Sequence, residues 1–357
     1  MTRYRGSMLD AFYRLLRPAL FRFNPERAHG IAFAAGGFCQ AVPGFARAIA
    51  ALLRRPDPAL RTELAGLTFA TPLGLAAGLD KGAELLPLWK ALGFGHVEIG
   101  TVTPRPQPGN PKPRLFRLPQ EELILNRMGF NSEGADVVAR RLRHRPAGLI
   151  VGGNLGKNKS TPEEKALEDY AEAYRRIAPA VDYIALNVSS PNTPGLRNLQ
   201  APEALKPLLA GMLGLRKDMG LEAQPLFLKL APDLADEDLD AIAEVAAASG
   251  ISGLIATNTT LDRGIVSAAN RAKVEAWGAG GLSGRPLAAK ARAVRQRLLQ
   301  RLQGRLPLIA CGGLSDPEDA KAALADGAAL VQIYSALIFQ GPGLVSRINA
   351  GLAEKRK

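Results

Sequence analysis

The side chains with most chemical potential in this chain of 357 residues are four asparagines and one serine. A carboxamide donates and accepts hydrogen bonds at once, so several around one cavity favour a neutral heterocycle that bears amide groups. Ser190 lies in the loop Asn187–Thr193 and is either a turn residue before Pro191 or a proton-abstracting base. A free serine hydroxyl is a weak base, so its surroundings would have to assist it. The asparagines are Asn126, Asn187, Asn192 and Asn258.

Lys229 and two short turns indicate an anionic ligand. Lys229 lies inside an apolar run, where an ammonium group is costly to bury unless a negative group meets it. That group is either a ligand such as a reduced flavin or the partner of a structural ion pair. Gly312-Gly313 and Tyr334-Ser335 follow the last two apolar runs and suit backbone binding of phosphate. These positions predict a phosphorylated cofactor.

Eight apolar runs that alternate with helical stretches are expected to position these side chains. Alternating strands and helices predict a parallel sheet, and eight units favour a closed (β/α)₈ TIM barrel. A doubly wound open sheet is the alternative, but Gly74–Gly78 does not form its glycine fingerprint. The predicted strands are Leu73–Ala77, His96–Thr101, Leu149–Asn154, Tyr183–Asn187, Leu226–Leu230, Gly253–Thr257, Leu308–Cys311 and Leu330–Ile333. The predicted helices are Glu84–Leu92, Ser132–Arg143, Glu163–Ile177, Pro202–Met219, Asp236–Ala248, Pro286–Leu302 and Asp316–Ala325.

Residues 1–55 are predicted to form a separate extension of two amphipathic helices, ahead of a barrel domain over residues 56–357. The first helix lies within Tyr4–Phe23, and the second begins at Asn24-Pro25 and ends near Pro43-Gly44. Arginines interrupt the first helix, which is too short and too charged to span a bilayer. The helices either pack on the barrel or turn apolar surface to a membrane. Residues 54–58 are expected to be a rigid linker.

Composition excludes several classes of protein. Two cysteines and three histidines, without metal-binding or hydrolase spacings, predict neither a metal site nor a disulfide, and they suit a reducing cytosolic setting. The formal charge of +13 suits nucleic acid, an anionic membrane surface or an anionic substrate. With 6% aromatic residues and no RNA-binding motif, nucleic acid is not expected to be the partner.

Motifs that occur in a fixed order carry a family resemblance. They are Ala76–Lys81, Gly100–Asn110, Asn126–Asn131, Asn154–Lys159, Asn187–Arg197, Lys229–Asp233, Asn258–Thr260 and Gly281–Pro286. Together they resemble the dihydroorotate dehydrogenase family, in its membrane-associated, quinone-reducing class. The resemblance implies oxidation of dihydroorotate to orotate in pyrimidine biosynthesis, with FMN as cofactor and a membrane quinone as acceptor. It also implies a monomer that is peripheral to the cytoplasmic side of the cell membrane.

The same resemblance assigns roles to residues. Ser190 removes the C5 proton while hydride leaves C6 for the flavin, and Lys81 meets the substrate carboxylate. Thr193, three residues after Ser190, is our own suggestion for a group that accepts or relays that proton. The implied substrate-binding residues are Lys81, Asn126, Arg127, Met128, Gly129, Phe130, Asn187, Asn192, Asn258 and Thr259. The implied FMN contacts are Ala77, Gly78, Leu79, Asp80, Lys81, Thr101, Asn154, Asn187, Lys229, Thr257, Gly284, Gly313, Tyr334 and Ser335.

Two features indicate the quinone-reducing class. Cytosolic relatives have cysteine at the position of Ser190 and lack an N-terminal helical extension. The resemblance therefore favours the membrane interpretation of the extension, and it implies a quinone route lined by His29, Arg117 and Tyr334. The segment between Arg263 and Gly281 is Ala-rich and longer than the family's usual segment, so no role is assigned there.

Two alternatives remain open at the level of sequence. One is a related FMN barrel that acts on a dihydropyrimidine or on dihydrouridine in RNA, which would use a cysteine acid and the basic charge. The other is a catalytically inactive binding protein that keeps the barrel, which would purify without flavin.

Overall fold

A closed barrel of eight parallel strands forms the centre of the molecule in a computed structural model, which describes residues 7–53 and 57–354. Each barrel strand pairs in parallel with two neighbours, and β10 closes the ring against β9. In chain order, the strands are β1 Thr62–Leu64, β2 Leu67–Phe69, β3 Leu73–Leu75, β4 His96–Val102, β5 Leu115–Leu118, β6 Leu123–Asn126, β7 Ile150–Leu155, β8 Tyr183–Asn187, β9 Leu226–Leu230, β10 Gly253–Ala256, β11 Gly281–Gly284, β12 Leu308–Cys311 and β13 Leu330–Ile333. The barrel order is β3-β4-β7-β8-β9-β10-β12-β13, which confirms the predicted fold.

Helices surround the barrel and follow its strands, as the alternating pattern predicts. They are α1 Ser7–Leu20, α2 Pro25–Ala41, α3 Phe45–Leu52, α4 Leu86–Leu92, α5 Ala135–Leu142, α6 Ala166–Ile177, α7 Pro202–Asp218, α8 Asp236–Ser249, α9 Ala268–Ala276, α10 Ala288–Leu302, α11 Pro317–Ala325, α12 Ser335–Gln340 and α13 Gly343–Glu354. The start predicted at Glu84 is two residues early, because the Asp80 carboxylate accepts the N–H groups of Glu84 and Leu85 in a turn before α4. Likewise α5 begins after Gly134, whose φ of 86° is not helical.

A β-hairpin that the sequence pattern did not reveal closes the amino-terminal end of the barrel. Strands β1 and β2 pair in antiparallel register around Ala65-Gly66, and both turn residues have positive φ, as tight hairpin turns require. Leu64 and Phe69 are buried in one apolar cluster with residues of five barrel strands. Those partners include Tyr183, Phe227, Ile255, Ile309 and Leu330. The hairpin therefore seals the end of the barrel that lies opposite the catalytic face.

A second sheet of three antiparallel strands, β5-β6-β11, also escaped prediction. Residues Gly281–Gly284, part of a motif quoted for the resemblance, form strand β11, which pairs with β6 along its length. The unassigned segment between Arg263 and Gly281 contains α9, whose Val274 packs with Leu282 over this sheet. This arrangement places Asn126, at the end of β6, beside the mouth of the barrel.

The N-terminal extension contains three described helices, one more than predicted, because Phe45–Leu52 forms α3. Two carboxylates attach the extension to the barrel domain: Asp10 of α1 pairs with Arg347, and Glu26 of α2 pairs with Arg114. Phe12, Leu15 and Phe38 leave 59%, 77% and 75% of their surface exposed, so the extension has an uncovered apolar face. Among the described residues, no helix combines the length and apolar character needed to cross a membrane. Residues 54–56 of the expected linker lie outside the described residues.

Candidate active site

A cleft of about 1050 Å³ opens at the carboxyl ends of the barrel strands. Parallel strands bring their carboxyl ends to one rim, so residues distant in sequence meet there. Most of the residues singled out by sequence line this cleft. They are Ala77, Gly78, Lys81, Thr101, Asn126, Met128, Gly129, Phe130, Asn187, Ser190, Asn192, Lys229, Thr257, Asn258, Thr259, Gly284, Gly313, Tyr334 and Ser335.

A buried ion pair joins Lys229, which lines the cleft, to the interior of the barrel. The Lys229 ammonium on β9 lies 3.0 Å from the Glu98 carboxylate on β4. Glu98 also accepts hydrogen bonds from Asn154 at 2.8 Å and from Gln332 at 2.9 Å. Burial alone would raise the pKa of Glu98, but Lys229 and these donors lower it, while Glu98 raises the pKa of Lys229 despite burial. Both groups are therefore charged, and the structural ion pair considered for Lys229 is present.

A hydrogen-bonded network of amides and hydroxyls fixes the strand ends beside this pair. Asn187 Nδ2 donates to Thr101 Oγ1 at 2.9 Å and to Asn154 Oδ1 at 3.1 Å. Its Oδ1 accepts from Ser189 Oγ at 2.9 Å and from Asn258 Nδ2 at 3.3 Å. Each carboxamide orientation is thus determined by a neighbour, so the polar surface of the cleft is preorganised. Asn154 lies behind Thr101 in this network rather than among the lining residues.

The loop that carries Ser190 is held in place from three sides. Ser190 is buried, and its Oγ accepts the N–H of Asn192 at 3.2 Å. Asn192 Nδ2 in turn donates to the backbone oxygen of Asn126 at 3.1 Å. Arg197 donates to the backbone oxygens of Ser189 and Thr259, both at 3.0 Å. Ser190 therefore presents its hydroxyl from an immobilised turn, as a positioned acid or base requires.

Thr193, the suggested proton relay, is buried three residues beyond Ser190. Its hydroxyl has no hydrogen-bond partner among the described residues. A buried hydroxyl without a partner is costly, so the group is available to a water or a ligand. The relay role stays a prediction.

Lys81 is the cation of the cleft that has no carboxylate within ion-pair distance among the described residues. Its ammonium donates to Asn131 Oδ1. Burial and the nearby Arg114 lower the pKa of Lys81 from 10.5 to about 7, although Glu26 acts in the opposite direction. An anion bound at Lys81 would restore its charge, so this position suits a ligand carboxylate.

Four predicted contact residues direct their side chains away from the cleft. Asp80 accepts hydrogen bonds from Glu84, Leu85 and Trp89, and Leu79 packs in the apolar core. The guanidinium of Arg127 donates to the backbone oxygens of Pro113, Trp277 and Ala279, and that of Arg117 donates to Phe23 O at 2.8 Å. Backbone contacts of these residues with a ligand stay a prediction.

A second cavity, of about 1000 Å³, lies between α2 and the barrel mouth. His29 and Tyr334 both line it, whereas Arg117, the third expected residue of the quinone route, does not. Burial lowers the pKa of His29 to about 4, with Lys81 adding to the effect, so the imidazole is neutral. Tyr334 and Lys81 line both cavities, which makes the second cavity adjacent to the first.

Comparisons with known proteins agree with this geometry. A family model described as dihydroorotate dehydrogenase matches residues 59–355. The chain belongs to the dihydroorotate dehydrogenase family. It is 50% identical to "Dihydroorotate dehydrogenase (quinone)" of Thermobifida fusca, over 96% of this chain and 90% of that one. The protein of the same name from Anaeromyxobacter dehalogenans is also 50% identical, over 95% and 91%.

A solved structure shares the fold of this family member. The structure titled as DHODH in complex with ferulenol from Eimeria tenella superposes with a TM-score of 0.83 at 35% identity. The match covers 95% of this chain and 94% of that one. A match to the barrel alone would leave out about the first fifty residues, which is more than the share of the chain that the match leaves uncovered. The match therefore includes N-terminal helices.

The dihydroorotate dehydrogenase family is flavin-dependent, and the residues of the cleft fit such a cofactor. The Thr257 hydroxyl is buried at the rim without a hydrogen-bond partner among the described residues. Gly284 and Gly313 line the cleft, and their φ values of 106° and 75° give the backbone there a conformation that residues with side chains rarely adopt. Unpartnered donors and glycine turns at the ends of strands are the features that accept a phosphorylated ring compound.

Several residues that line or support the cleft were not singled out by sequence. Glu98, Arg197 and Asp233 support lining residues without lining the cleft themselves. Glu98 was missed, although a carboxylate within one strand and a lysine within another are the signal of a buried pair. Arg197 and its partner Asp233, at 2.9 Å, lay inside quoted motifs without a role. The remaining missed lining residues include Ser283, Leu287, Cys311, Gln332 and Ala336. Small and apolar residues carry no chemical signal, and only the closure of the barrel brings them to the cleft.

Proposed function

We propose that the protein oxidises dihydroorotate to orotate, with FMN as its cofactor and a quinone as electron acceptor. The observation that carries this proposal is that Ser190 and Lys81 face one asparagine-lined cleft. The chain that forms this cleft is 50% identical in sequence to two proteins named "Dihydroorotate dehydrogenase (quinone)". Dihydroorotate is a neutral cyclic amide with one carboxylate. Its ring matches the carboxamides, and its charge matches Lys81.

The residues of the cleft divide the reaction among them. Lys81 binds the carboxylate, and the four predicted asparagines hydrogen-bond the ring amides and orient C5 toward Ser190. Ser190 takes the C5 proton and passes its own hydroxyl proton on, with the unpartnered Thr193 hydroxyl as the suggested relay; the fixed position of Ser190 and its enclosed surroundings assist the transfer. FMN, when bound, supplies a two-electron acceptor for the hydride released at C6. Thr101, Asn187, Lys229, Thr257 and the Gly284 and Gly313 turns would hold it.

The positive charge near the ring has a defined source. Lys229 stays protonated because Glu98 pairs with it, and its ammonium lines the cleft. A fixed cation at that position favours a ring that gains negative charge on reduction. Lys229 thus serves both the ion pair and the cofactor.

The choice of a quinone rests on the relatives' names, on serine at position 190 and on the N-terminal extension. The cavity lined by His29 and Tyr334 offers an apolar ring a route toward the flavin. The exposed apolar face of α1 and α2, in a chain of formal charge +13, suits an anionic membrane surface. We infer peripheral attachment on the cytoplasmic side of the cell membrane.

The acceptor is tested with the FMN-loaded full chain in detergent micelles. Orotate formation from dihydroorotate is followed with a short-chain ubiquinone or menaquinone, with NAD⁺, or with fumarate. We expect turnover with a quinone and none with NAD⁺ or fumarate. Turnover with NAD⁺ or fumarate but not with a quinone would refute the proposed acceptor.

A further inference from the structure

Glu26 of helix α2 forms an ion pair with a buried guanidinium on the substrate side of the barrel. Its carboxylate accepts from Arg114 Nη2 at 2.7 Å and from Arg114 Nε at 3.2 Å, and Lys112 lies 3.5 Å away. Burial alone would raise the pKa of Glu26, but the paired Arg114 lowers it. The carboxylate is therefore ionised, and it neutralises a guanidinium that is only 7% exposed.

Arg114 continues the contact toward the catalytic loop. Its Nη1 donates to the backbone oxygen of Asn110 at 2.9 Å, and its own backbone oxygen accepts the N–H of Arg127 at 2.9 Å. The Asn110 side chain then donates to Arg127 O at 3.0 Å and to Asn192 O at 3.4 Å. An unbroken series of hydrogen bonds thus joins α2 to Arg127, which directly follows Asn126, and to the loop that carries Asn192.

Glu26 also shares a cavity with Lys81. Arg114 lowers the pKa of Lys81, after burial, and Glu26 opposes that effect. The other ionisable groups that line this cavity are His29, Glu84, Glu133 and Tyr334. Burial keeps His29 neutral, with its pKa lowered to about 4, and it raises the pKa of Tyr334 to about 12. Burial also raises the pKa of Glu84, and Asp80 adds to that effect.

We propose that Glu26 is a positioning residue for the dihydroorotate half of the reaction. It offsets the repulsion from Arg114 so that Lys81 is protonated more readily when the substrate carboxylate binds, and through Arg114 and Asn110 it holds the end of β6 at Asn126 and the loop of Asn192. The extension therefore serves substrate binding as well as quinone access. This inference rests on the proposed function, which supplies the carboxylate substrate.

The test compares Glu26→Gln with the wild type, both as full-length, FMN-loaded enzymes. Orotate is titrated into the oxidised protein between about pH 6 and pH 9, and binding is read from the flavin absorption. Without the carboxylate, Arg114 acts on Lys81 unopposed, so the pH at which orotate affinity falls should move down by about one unit. At about pH 8 the Kd for orotate should rise about tenfold, and at about pH 6 the difference between the two enzymes should shrink to about twofold.

Asp10→Asn is the matched control. It breaks the ion pair between α1 and Arg347, which also attaches the extension. That pair reaches the cleft only at Ser315, through Gln340, and not at Lys81, Asn126 or Asn192. We expect this variant to keep the wild-type Kd and pH profile. Glu26→Asp restores the carboxylate, so it should recover most of the orotate affinity. If Glu26→Gln does not retain FMN, Glu26→Asp is compared with Glu26→Ala instead.

Three results would overturn the inference. The first is a wild-type pH profile for Glu26→Gln, and the second is an equal loss of orotate affinity in Asp10→Asn. The third is a Glu26→Asp enzyme that binds orotate as weakly as Glu26→Gln does or, if Glu26→Gln does not retain FMN, as weakly as Glu26→Ala does. Failure of the wild-type enzyme to bind orotate would instead refute the proposed function, and the inference with it. The wild-type titration therefore distinguishes the two failures.

Discussion

The buried pair between Glu98 and Lys229 allows a quantitative prediction for Glu98→Ala. The substitution leaves the Lys229 ammonium, which is 4% exposed, without a counter-charge at 3.0 Å. It also removes the acceptor of Asn154 Nδ2 and of Gln332 Nε2, both on buried side chains. Removing one partner of a buried pair costs about 3–5 kcal/mol. We expect the free energy of unfolding to fall by about 4 kcal/mol.

Urea unfolding of the flavin-free chain, followed by circular dichroism, measures this loss without any contribution from cofactor binding. Asp326→Ala, at the exposed pair with Arg292, is the control and should leave the unfolding midpoint almost unchanged. The double variant Glu98→Gln with Lys229→Met has no unpaired charge, so it should unfold within about 2 kcal/mol of the wild type. A loss below about 1 kcal/mol for Glu98→Ala, or a double variant less stable than Glu98→Ala, would refute the reasoning.

Three further predictions concern the base, the apolar face and the barrel interior. Ser190→Ala should retain FMN and orotate binding but slow flavin reduction by dihydroorotate at least about a hundredfold in stopped-flow measurements; reduction at the wild-type rate would assign the base elsewhere. The double variant Leu15→Glu, Phe38→Glu should no longer sediment with anionic vesicles but should keep flavin reduction, whereas the control Leu167→Glu on α6 should sediment normally. Unchanged sedimentation of the double variant would contradict membrane binding by the apolar face of the extension. Gly74→Ala should destabilise the chain by about 1–3 kcal/mol, because the new Cβ would lie 2.1 Å from the buried His96 ring. Gly214→Ala is the control and should not destabilise it, because nothing lies within 4 Å of its Cβ. Equal thermal unfolding of the two variants would contradict this prediction.

The barrel could be predicted from the sequence because its signal is local and repeated. Strands at Tyr183–Asn187, Leu226–Leu230, Leu308–Cys311 and Leu330–Ile333 have the predicted bounds. Buried parallel strands are continuous apolar runs, and their ends coincide with glycine or polar residues. The hairpin at Thr62–Phe69 was missed because its two strands have only three residues each, too few to show alternation.

The polar residues of the cleft could be predicted because barrel topology brings strand ends to one rim. Ser190, Lys81 and the asparagines Asn126, Asn187 and Asn258 all line it. Direction within the rim could not be predicted, since Asp80 turns away to complete the start of α4. Pairings between distant residues, such as Glu26 with Arg114, depend on how α2 docks against β5, and no local pattern encodes that.

The central claim is most directly tested by mixing the oxidised, FMN-loaded full chain with dihydroorotate under anaerobic conditions, without quinone or NAD⁺. The account predicts that the flavin absorption bleaches and that an equimolar amount of orotate appears. A fully loaded protein whose flavin stays oxidised in excess dihydroorotate would contradict it.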